Sequence, residues 1–233
     1  MKFFTAPPAR KIFCPKKKTI VATNMNAGLG NLATLKQFLL AASLRSGTTY
    51  DANITLIGKG VAALMDRFCN RGFAYASEAI IFTGNRPHYY LPRFPFNESA
   101  ALTVEMRYFL ADAWADISGQ PLQINSQTGL VHFGYTLGRD PLQVRVTYSG
   151  GYFFETKEPT DNGYPTTITA GATALPDDVQ LAWLTQCMEV WNKIDKLGTG
   201  IIEKPNTAVL TDALQLSPMV KEILQGYVRY QLT

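Results

Sequence analysis

The sequence predicts an α+β fold with helices towards both ends of the chain and a β-rich segment between them. Apolar residues recur at helical spacing over 31–72 and again over 175–230. Between these stretches, short β-type runs alternate with Gly, Pro and Asn. At 233 residues, 46% of them hydrophobic and 17% charged, the chain is long enough to bury a substantial core.

We therefore expect a single domain over residues 31–233. Its helical core, a bundle of about four helices, comprises 31–72 and 175–233. A β-rich insertion over 73–155 separates the second and third core helices, and a polar, Gly/Thr/Pro-rich loop covers 156–174.

Residues 1–30 are predicted to be an extended basic arm. The first 50 residues carry eight Lys or Arg and no acidic residue, so the rest of the chain is mildly acidic although the net charge is +4. Prolines interrupt the arm, and only 19–22 is β-like, so the arm should become ordered against a partner. The run Lys16, Lys17 and Lys18 could meet an acidic protein face or duplex phosphates, or remain solvated.

The first two helices have clear start signals. Asn31 can cap a helix that carries Leu32, Leu35 and Leu39. Asp51 suits the positive end of a second helix, and Gly72 is expected to end that helix. The predicted buried stripe of the second helix is Ile54, Ile57, Val61, Leu64, Met65 and Phe68.

The β-rich insertion is predicted from five short runs. The clearest is 142–148, where Leu142, Val144, Val146 and Tyr148 alternate with polar residues. The other candidate strands are 79–82, 88–91, 102–106 and 129–133.

Two further helices are predicted near the C-terminus. Pro176, Asp177 and Asp178 are typical of a first helical turn, and Ser217-Pro218 is typical of the start of the last helix. Trp183, Cys187, Met188 and Trp191 spread around the third helix. We expect one core to leave some of them uncovered, so Trp183 and Trp191 are candidate subunit-interface residues.

Candidate catalytic and binding groups are sparse. Gly28-Leu29-Gly30 precedes a helix, and Asp51 follows about twenty residues later, as in a dinucleotide fingerprint. Residues 24–27 separate Gly28 from the β-like run, Asp51 begins a helix instead of ending a second strand, and the later chain lacks βαβ alternation. We therefore interpret the glycines as a flexible hinge between arm and helix. His88 and His132 fit surface or structural positions, and Asp112 with Asp116 fits an exposed polar segment.

Cys14, Cys69 and Cys187 lack metal or disulfide spacing, and the last two fall on apolar helix faces. No apolar run approaches the roughly 18–20 residues that a membrane-spanning helix needs. The start of the chain has apolar residues but no continuous apolar core of an export signal, so we expect a protein of the cytosol or of a particle assembled there. We expect no enzyme, no cofactor, no metal and no membrane partner.

Five short motifs occur in a fixed order along the chain. The first two are Leu32, Leu35, Lys36 and Leu39, then Asp51 followed by Cys69-Asn70-Arg71 and Phe73. The others are 148–152 with Tyr at both ends, Leu175-Pro176-Asp177-Asp178-Val179 with Ala182, and finally Val220, Ile223, Leu224, Tyr227 and Arg229. In this order they resemble the head-tail connector (adaptor, or neck) proteins of tailed bacteriophages. The resemblance covers 32–73, 142–154, 175–198 and 217–230.

The resemblance implies a structural virion protein at the head-tail junction, assembled in the host cytoplasm. Such proteins form a ring, usually twelvefold, that binds the portal on one face and a tail or neck protein on the other. DNA passes through the lumen without sequence-specific binding. The candidate protein-interface residues are Lys16, Lys17, Lys18, Trp183, Trp191, Tyr227 and Arg229. A nucleic-acid-binding protein that uses the basic arm is the alternative, and a small Rossmann-like enzyme is a third hypothesis.

Overall fold

The computed structural model describes residues 27–39, 48–83, 88–119, 122–133, 143–154, 170–198 and 215–229. The helices in these ranges are α1 (Leu32–Phe38), α2 (Asp51–Cys69), α3 (Asp177–Gly198) and α4 (Pro218–Gln225). The strands are β1 (Ala76–Thr83), β2 (His88–Tyr90), β3 (Thr103–Arg107), β4 (Ala115–Asp116), β5 (Leu122–Asn125), β6 (Leu130–Phe133), β7 (Gln143–Gly150), β8 (Tyr152–Phe153) and β9 (Thr173–Ala174). The predicted α+β class is confirmed.

The four helices share one core. Helix α1 packs against α2 and α3, α2 packs against α3, and α3 packs against α4. Asn31 caps α1 as predicted, because its side-chain oxygen accepts a hydrogen bond of 2.8 Å from the Thr34 backbone N–H. Leu32 and Leu35 of α1 are fully buried against this core.

Helix α2 departs from its predicted stripe near the C-terminal end. Its buried residues are Ile54, Gly58, Val61, Ala62, Met65 and Cys69. Phe68, predicted to be buried, is 37% exposed, because the buried face continues from Met65 to Cys69, one full turn on. The helix ends at Asn70, whose φ of 51° and ψ of 41° are left-handed, and so the prediction that Gly72 ends it is wrong.

The segment before α1 belongs to the helical core, so the predicted arm boundary at residue 30 is wrong. Ala27 is fully buried and Leu29 is 1% exposed. Gly28 has a φ of +125°, and a Cβ there would lie 2.5 Å from the Gly58 carbonyl oxygen. The glycines therefore permit close packing against α2 rather than forming a flexible hinge. Residues 1–26 lie outside the described part of the chain.

Among the described residues, the strands form two antiparallel sheets and one short parallel pair. The first sheet has the strand order β1-β7-β3-β4, and the second has the order β2-β6-β5. Strand β8 pairs in parallel with β9. Since β9 lies at 173–174, the prediction of loop throughout 156–174 is wrong at its end.

All five predicted strands coincide with observed strands. In β7, Val144, Val146 and Tyr148 are fully buried, while Gln143, Arg145 and Thr147 are only partly buried, as the alternation predicts. Leu142 lies outside the described residues. The inward side chains form a second core, separate from the helical one.

The apolar side chains of helix α3 divide between buried and partly exposed positions. Val179, Ala182, Trp183 and Cys187 are fully buried within this single chain. Met188 and Trp191 are only partly buried, so the core leaves some of the four spread residues incompletely covered, as expected, but Trp183 is not among them. No described helix is long and apolar enough to cross a membrane.

Candidate protein interface

The first two sequence motifs contact each other inside the chain. Lys36 of α1 and Asp51, the first residue of α2, form an ion pair in which Nζ lies 2.6 Å from Oδ1. The two side chains are only 8% and 15% exposed. Breaking a shielded pair by removing one partner leaves an uncompensated charge, so this contact fixes α1 against α2. It also occupies the carboxylate that a dinucleotide fingerprint would use for the ribose.

Asp66 accepts hydrogen bonds from the segment that follows α2, where the chain turns towards the sheets. Its Oδ1 accepts a hydrogen bond of 2.9 Å from the Phe73 backbone N–H, and its carbonyl accepts one of 3.0 Å from the Arg71 N–H. Burial raises the pKa of the Asp66 carboxyl group, while this hydrogen bond and the nearby Arg93 and Arg71 act in the opposite direction. Local bonds of Asp66 thus define where the helix stops.

The guanidinium of Arg71 is buried at the boundary between helices and sheets. Arg71 is 6% exposed, donates to the Phe94 carbonyl, and has its guanidinium carbon 3.5 Å from the Phe94 ring centroid. The rings of Phe73 and Tyr152 lie 4.9 and 5.2 Å away. Burial lowers the pKa of Arg71, and Tyr152 partly offsets that effect. Aromatic faces here surround a cation that has lost most of its water.

The last motif joins the same cluster. Tyr227 packs edge-on against Phe73 at 6.0 Å, and Phe73 stacks on Tyr152 at 6.3 Å. The Tyr227 hydroxyl lies 2.9 Å from both carboxylate oxygens of Asp178, at the start of α3. Burial, then the bond to Asp178, raises the pKa of Tyr227 to about 12.

Arg229 contacts both the helical part and the β-rich part of the chain. Its backbone N–H donates to the Cys69 carbonyl at 2.9 Å, and its Nη1 donates to the Leu91 carbonyl at 3.1 Å. Its guanidinium carbon lies 4.7 Å from the Tyr90 ring centroid. Burial lowers the pKa of Arg229. We call this connected set of residues the helix–sheet joint: Asp66, Arg71, Phe73, Tyr152, Asp178, Tyr227 and Arg229.

The candidate interface residues thus separate into three groups. Tyr227 and Arg229 make contacts within the chain, and Trp183 is fully buried, with its Nε1–H donating to the Gly58 carbonyl at 2.9 Å. Trp183 therefore contributes to the core and has no exposed surface. Trp191 is only partly buried. Its ring lies edge-on to that of Tyr50, with 6.0 Å between the ring centroids, and Tyr50 is 49% exposed. The lysines at 16–18 lie outside the described residues.

A different surface exposes large apolar side chains. At the tip of the β3–β4 hairpin, Tyr108, Phe109 and Leu110 are 55%, 62% and 71% exposed. Hydrogen bonds hold this tip: the Phe109 N–H donates to Asp112 Oδ2 at 2.9 Å, and Arg107 Nη1 donates to the Leu110 carbonyl at 3.0 Å. The tip therefore has a defined shape, which lowers the entropy cost of binding a partner.

At the base of this hairpin, the ring of Trp114 contacts the guanidinium groups of two arginines. The guanidinium carbons of Arg107 and Arg145 lie 4.4 and 4.5 Å from the centroid of Trp114. Arg145 also forms an ion pair with Glu105, with Nη2 2.6 Å from Oε2. Arg107 donates to Gln143 at 2.8 and 3.0 Å. These contacts bind the hairpin to the central strands of its sheet.

Helix α2 presents a second uncovered surface opposite its buried stripe. Leu56, at the centre of this face, is 72% exposed. The other exposed residues on the face are Ala52, Asn53, Lys59, Gly60, Ala63 and Arg67. A Cβ at Gly60 would have nothing within 4 Å. The face therefore combines one large apolar side chain with small and charged residues, and the helix backbone is open to solvent at Gly60.

The chemistry-bearing side chains form no reactive constellation in the described part of the chain. His88 and His132 face each other across β2 and β6, and both are exposed. Asp112 and Asp116 are exposed as expected, the first in a turn and the second in β4, not on a helix. Cys69 and Cys187 are buried free thiols whose pKa values are raised by burial, that of Cys69 to about 12. In these ranges there is no group of His, Cys, Asp and Glu that could hold a metal ion.

Sequence reasoning missed the hairpin tip and the outward face of α2. A signal for the tip was present, since Tyr108-Phe109-Leu110 is a run of large apolar residues immediately after a strand. The signal for the α2 face was weaker, because Leu56 stands alone among small and charged residues.

Comparison with known proteins reveals relationships of fold. No protein-family model and no curated protein sequence matches this chain. A chain in the neck of an empty gene transfer agent (GTA) particle, computed with C6 symmetry, aligns over 89% of this chain and 93% of its own length, with a TM-score of 0.58 and 14% identity. A chain from the virion of a native GTA particle aligns over 91% and 95%, with a TM-score of 0.56 and 11% identity.

A third solved structure, the neck of a native GTA particle computed with C12 symmetry, contains a chain that aligns over 78% of this chain and 85% of its own length. Its TM-score is 0.50 and its identity is 12%. At such identities the likeness is one of fold. It confirms, at that level, the predicted resemblance to neck proteins.

Proposed function

We propose that this chain is a structural component of the neck of a virion or virion-like particle, with no catalytic role. The observation that supports this most strongly is the fold shared with a GTA neck chain over 89% of this chain and 93% of the other. A match over most of both chains means that helices and sheets occur together in a similar arrangement. Fold alone does not establish function, so the role needs a direct test.

In its finer form, the proposal is a ring that joins the portal to a tail or neck protein at the head-tail junction. The similar neck structures were computed with C6 and C12 symmetry, which supports a homo-oligomeric ring, and we propose twelve copies. DNA would pass through the lumen without sequence-specific binding. Assembly would take place in the host cytoplasm before incorporation into the virion.

We further propose that the four helices act as the ring-forming bundle and that 73–155 is an insertion into it. The direct packing of α2, α3 and α4 supports this division, since these helices share one core across the intervening β-rich segment. The sheets have their own core.

The outer side of α3 is a candidate subunit contact. Leu181 is 44% exposed, and Trp191 lies beside the exposed Tyr50. Trp191→Asp would place a carboxylate in that contact, and an unpaired charge in a dry interface costs several kcal/mol. We expect the variant to fold but to lose ring assembly, and Leu181→Ala to have a milder effect. If the Trp191→Asp variant assembles as well as the parent, α3 is not part of the subunit interface.

The basic arm is proposed to bind a neighbouring protein, with Lys16, Lys17 and Lys18 against acidic groups. Deleting residues 2–22 should leave the domain folded, because the described core begins at Ala27. Portal binding should weaken, and the difference from the parent should shrink as salt rises. Portal binding is to be measured at a low and a high salt concentration. If the deletion variant binds the portal as the parent does at both, the nucleic-acid alternative gains support, and the parent should then retard DNA with a steep salt dependence.

The decisive experiment is electron microscopy of the purified chain mixed with portal complexes. Rings attached to the portal would support the neck role. A chain that leaves the portal bare, in mixtures where other neck components bind, would contradict it.

A further inference from the structure

Two surfaces of this chain expose apolar side chains and carry opposite charges. The hairpin tip carries three successive exposed apolar side chains, Tyr108, Phe109 and Leu110. The outward face of α2 exposes Leu56 beside the small residues Ala52, Gly60 and Ala63, and a Cβ at Gly60 would have nothing within 4 Å. Covering these apolar groups with a partner would be favourable on both surfaces.

The charges beside these surfaces are opposite. Asp112 and Asp116 are exposed on the hairpin. Arg107 of β3 contacts Trp114 and Gln143, and Arg145 of the neighbouring strand β7 forms an ion pair with Glu105. The outward face of α2 carries Lys59 and Arg67, which form no ion pair among the described residues. The acids of α2, Asp51 and Asp66, are engaged with Lys36 and the Phe73 N–H.

We infer that the β3–β4 hairpin of one copy docks on the outward face of α2 in a second copy of this chain. Leu56 would sit among Tyr108, Phe109 and Leu110, with Lys59 and Arg67 meeting Asp112 and Asp116. This inference rests on the proposed ring and specifies one of its contacts. A patch that binds a different patch on the next copy is heterologous, and heterologous contacts generate rings when the rotation closes. A second copy fits better than DNA because the exposed charges on the hairpin tip are acidic.

The contact can be tested by reversing the charges on each side. Variant one is Lys59→Glu with Arg67→Glu, and variant two is Asp116→Lys. Asp112 is left in place because it holds the tip. Each variant should raise the concentration for half-maximal self-association by about tenfold or more, measured by sedimentation velocity at low salt. The chain carrying all three substitutions should recover most of the loss.

An apolar variant and a matched control complete the series. Phe109→Ser should weaken self-association as much as the charge reversals, whereas Ile81→Ser, at a site 53% exposed on β1, should not. Circular dichroism and thermal unfolding would show that every variant folds.

Disulfide trapping tests proximity independently. Chains with Leu110→Cys and chains with Ala63→Cys, both in a Cys14→Ser background, should give a disulfide-linked dimer when mixed and oxidised. Neither should give it alone.

The outcomes separate this inference from the proposed function. If the parent oligomerises but every variant behaves like it, the hairpin contact is wrong and the ring stands. If hairpin variants keep self-association and lose portal binding, the tip binds the portal and the inference is likewise overturned. If the parent stays monomeric at every concentration and no mixed disulfide forms, both the contact and the ring are contradicted.

Discussion

The helix–sheet joint and the tip of the β3–β4 hairpin are opposites in almost every respect. The joint collects motif residues from across the chain, and Arg71 and Phe73 within it are buried. The hairpin tip belongs to no motif, and its three apolar side chains are mostly exposed. The difference teaches that the motifs behind the resemblance encode internal contacts of the fold. Candidate assembly surfaces must therefore be sought where the chain leaves apolar groups uncovered.

The largest effect is expected at Trp183, which the sequence analysis assigned to an interface and which the structure places in the core. Trp183→Ala should lower the free energy of unfolding by about 3–5 kcal/mol, because it leaves a large cavity and removes the hydrogen bond to Gly58. Chemical denaturation of the monomeric protein would measure this. A decrease in the free energy of unfolding below about 1 kcal/mol would contradict the burial of Trp183.

The two faces of α2 can be compared with a matched pair of glycines. Gly58→Ala should destabilise the chain by about 1–3 kcal/mol, because its Cβ would overlap the Ala27 carbonyl oxygen. Gly60→Ala, with nothing within 4 Å, should stabilise it by about 0.5–1 kcal/mol through helix propensity. Equal effects in thermal unfolding would mean that the segment 27–30 does not pack on α2.

Within the joint, the Tyr227–Asp178 hydrogen bond should have a modest effect and a distinctive pH dependence. Tyr227→Phe should cost about 0.5–1.5 kcal/mol at neutral pH. The pKa of Tyr227 is raised from 10.0 to about 12, so the folded state holds this proton more tightly than the unfolded state. The resulting stability is present below pH 10 and lost as the pH rises towards 12. Denaturation at successive pH values should show a smaller alkaline loss in the variant than in the parent.

The smallest effect on stability is expected at the hairpin tip. Phe109→Ser should change the free energy of unfolding by less than about 0.5 kcal/mol, since the side chain is 62% exposed. Thermal unfolding at low concentration, where copies are separate, is the relevant measurement. A large destabilisation there would show that the tip is needed for folding and would weaken its assignment as a docking surface.

The sequence by itself determined the local features. Asn31, Asp51 and Ser217-Pro218 correctly predicted where helices begin, because start signals act within one turn. Alternation correctly predicted the inward face of β7, since successive side chains point to opposite faces. Each of these rules requires only neighbours in the chain.

Only the tertiary structure decided which apolar groups are covered and by what. Periodicity could not distinguish Trp183, fully buried against Gly58, from Trp191, partly buried beside Tyr50, because both lie on apolar sides of one helix. Nor could spacing reveal that Arg71, Tyr152 and Tyr227 meet in one cluster, or that 27–30 packs into the core. Burial depends on partners distant in sequence, and their positions are fixed only when the whole chain has folded.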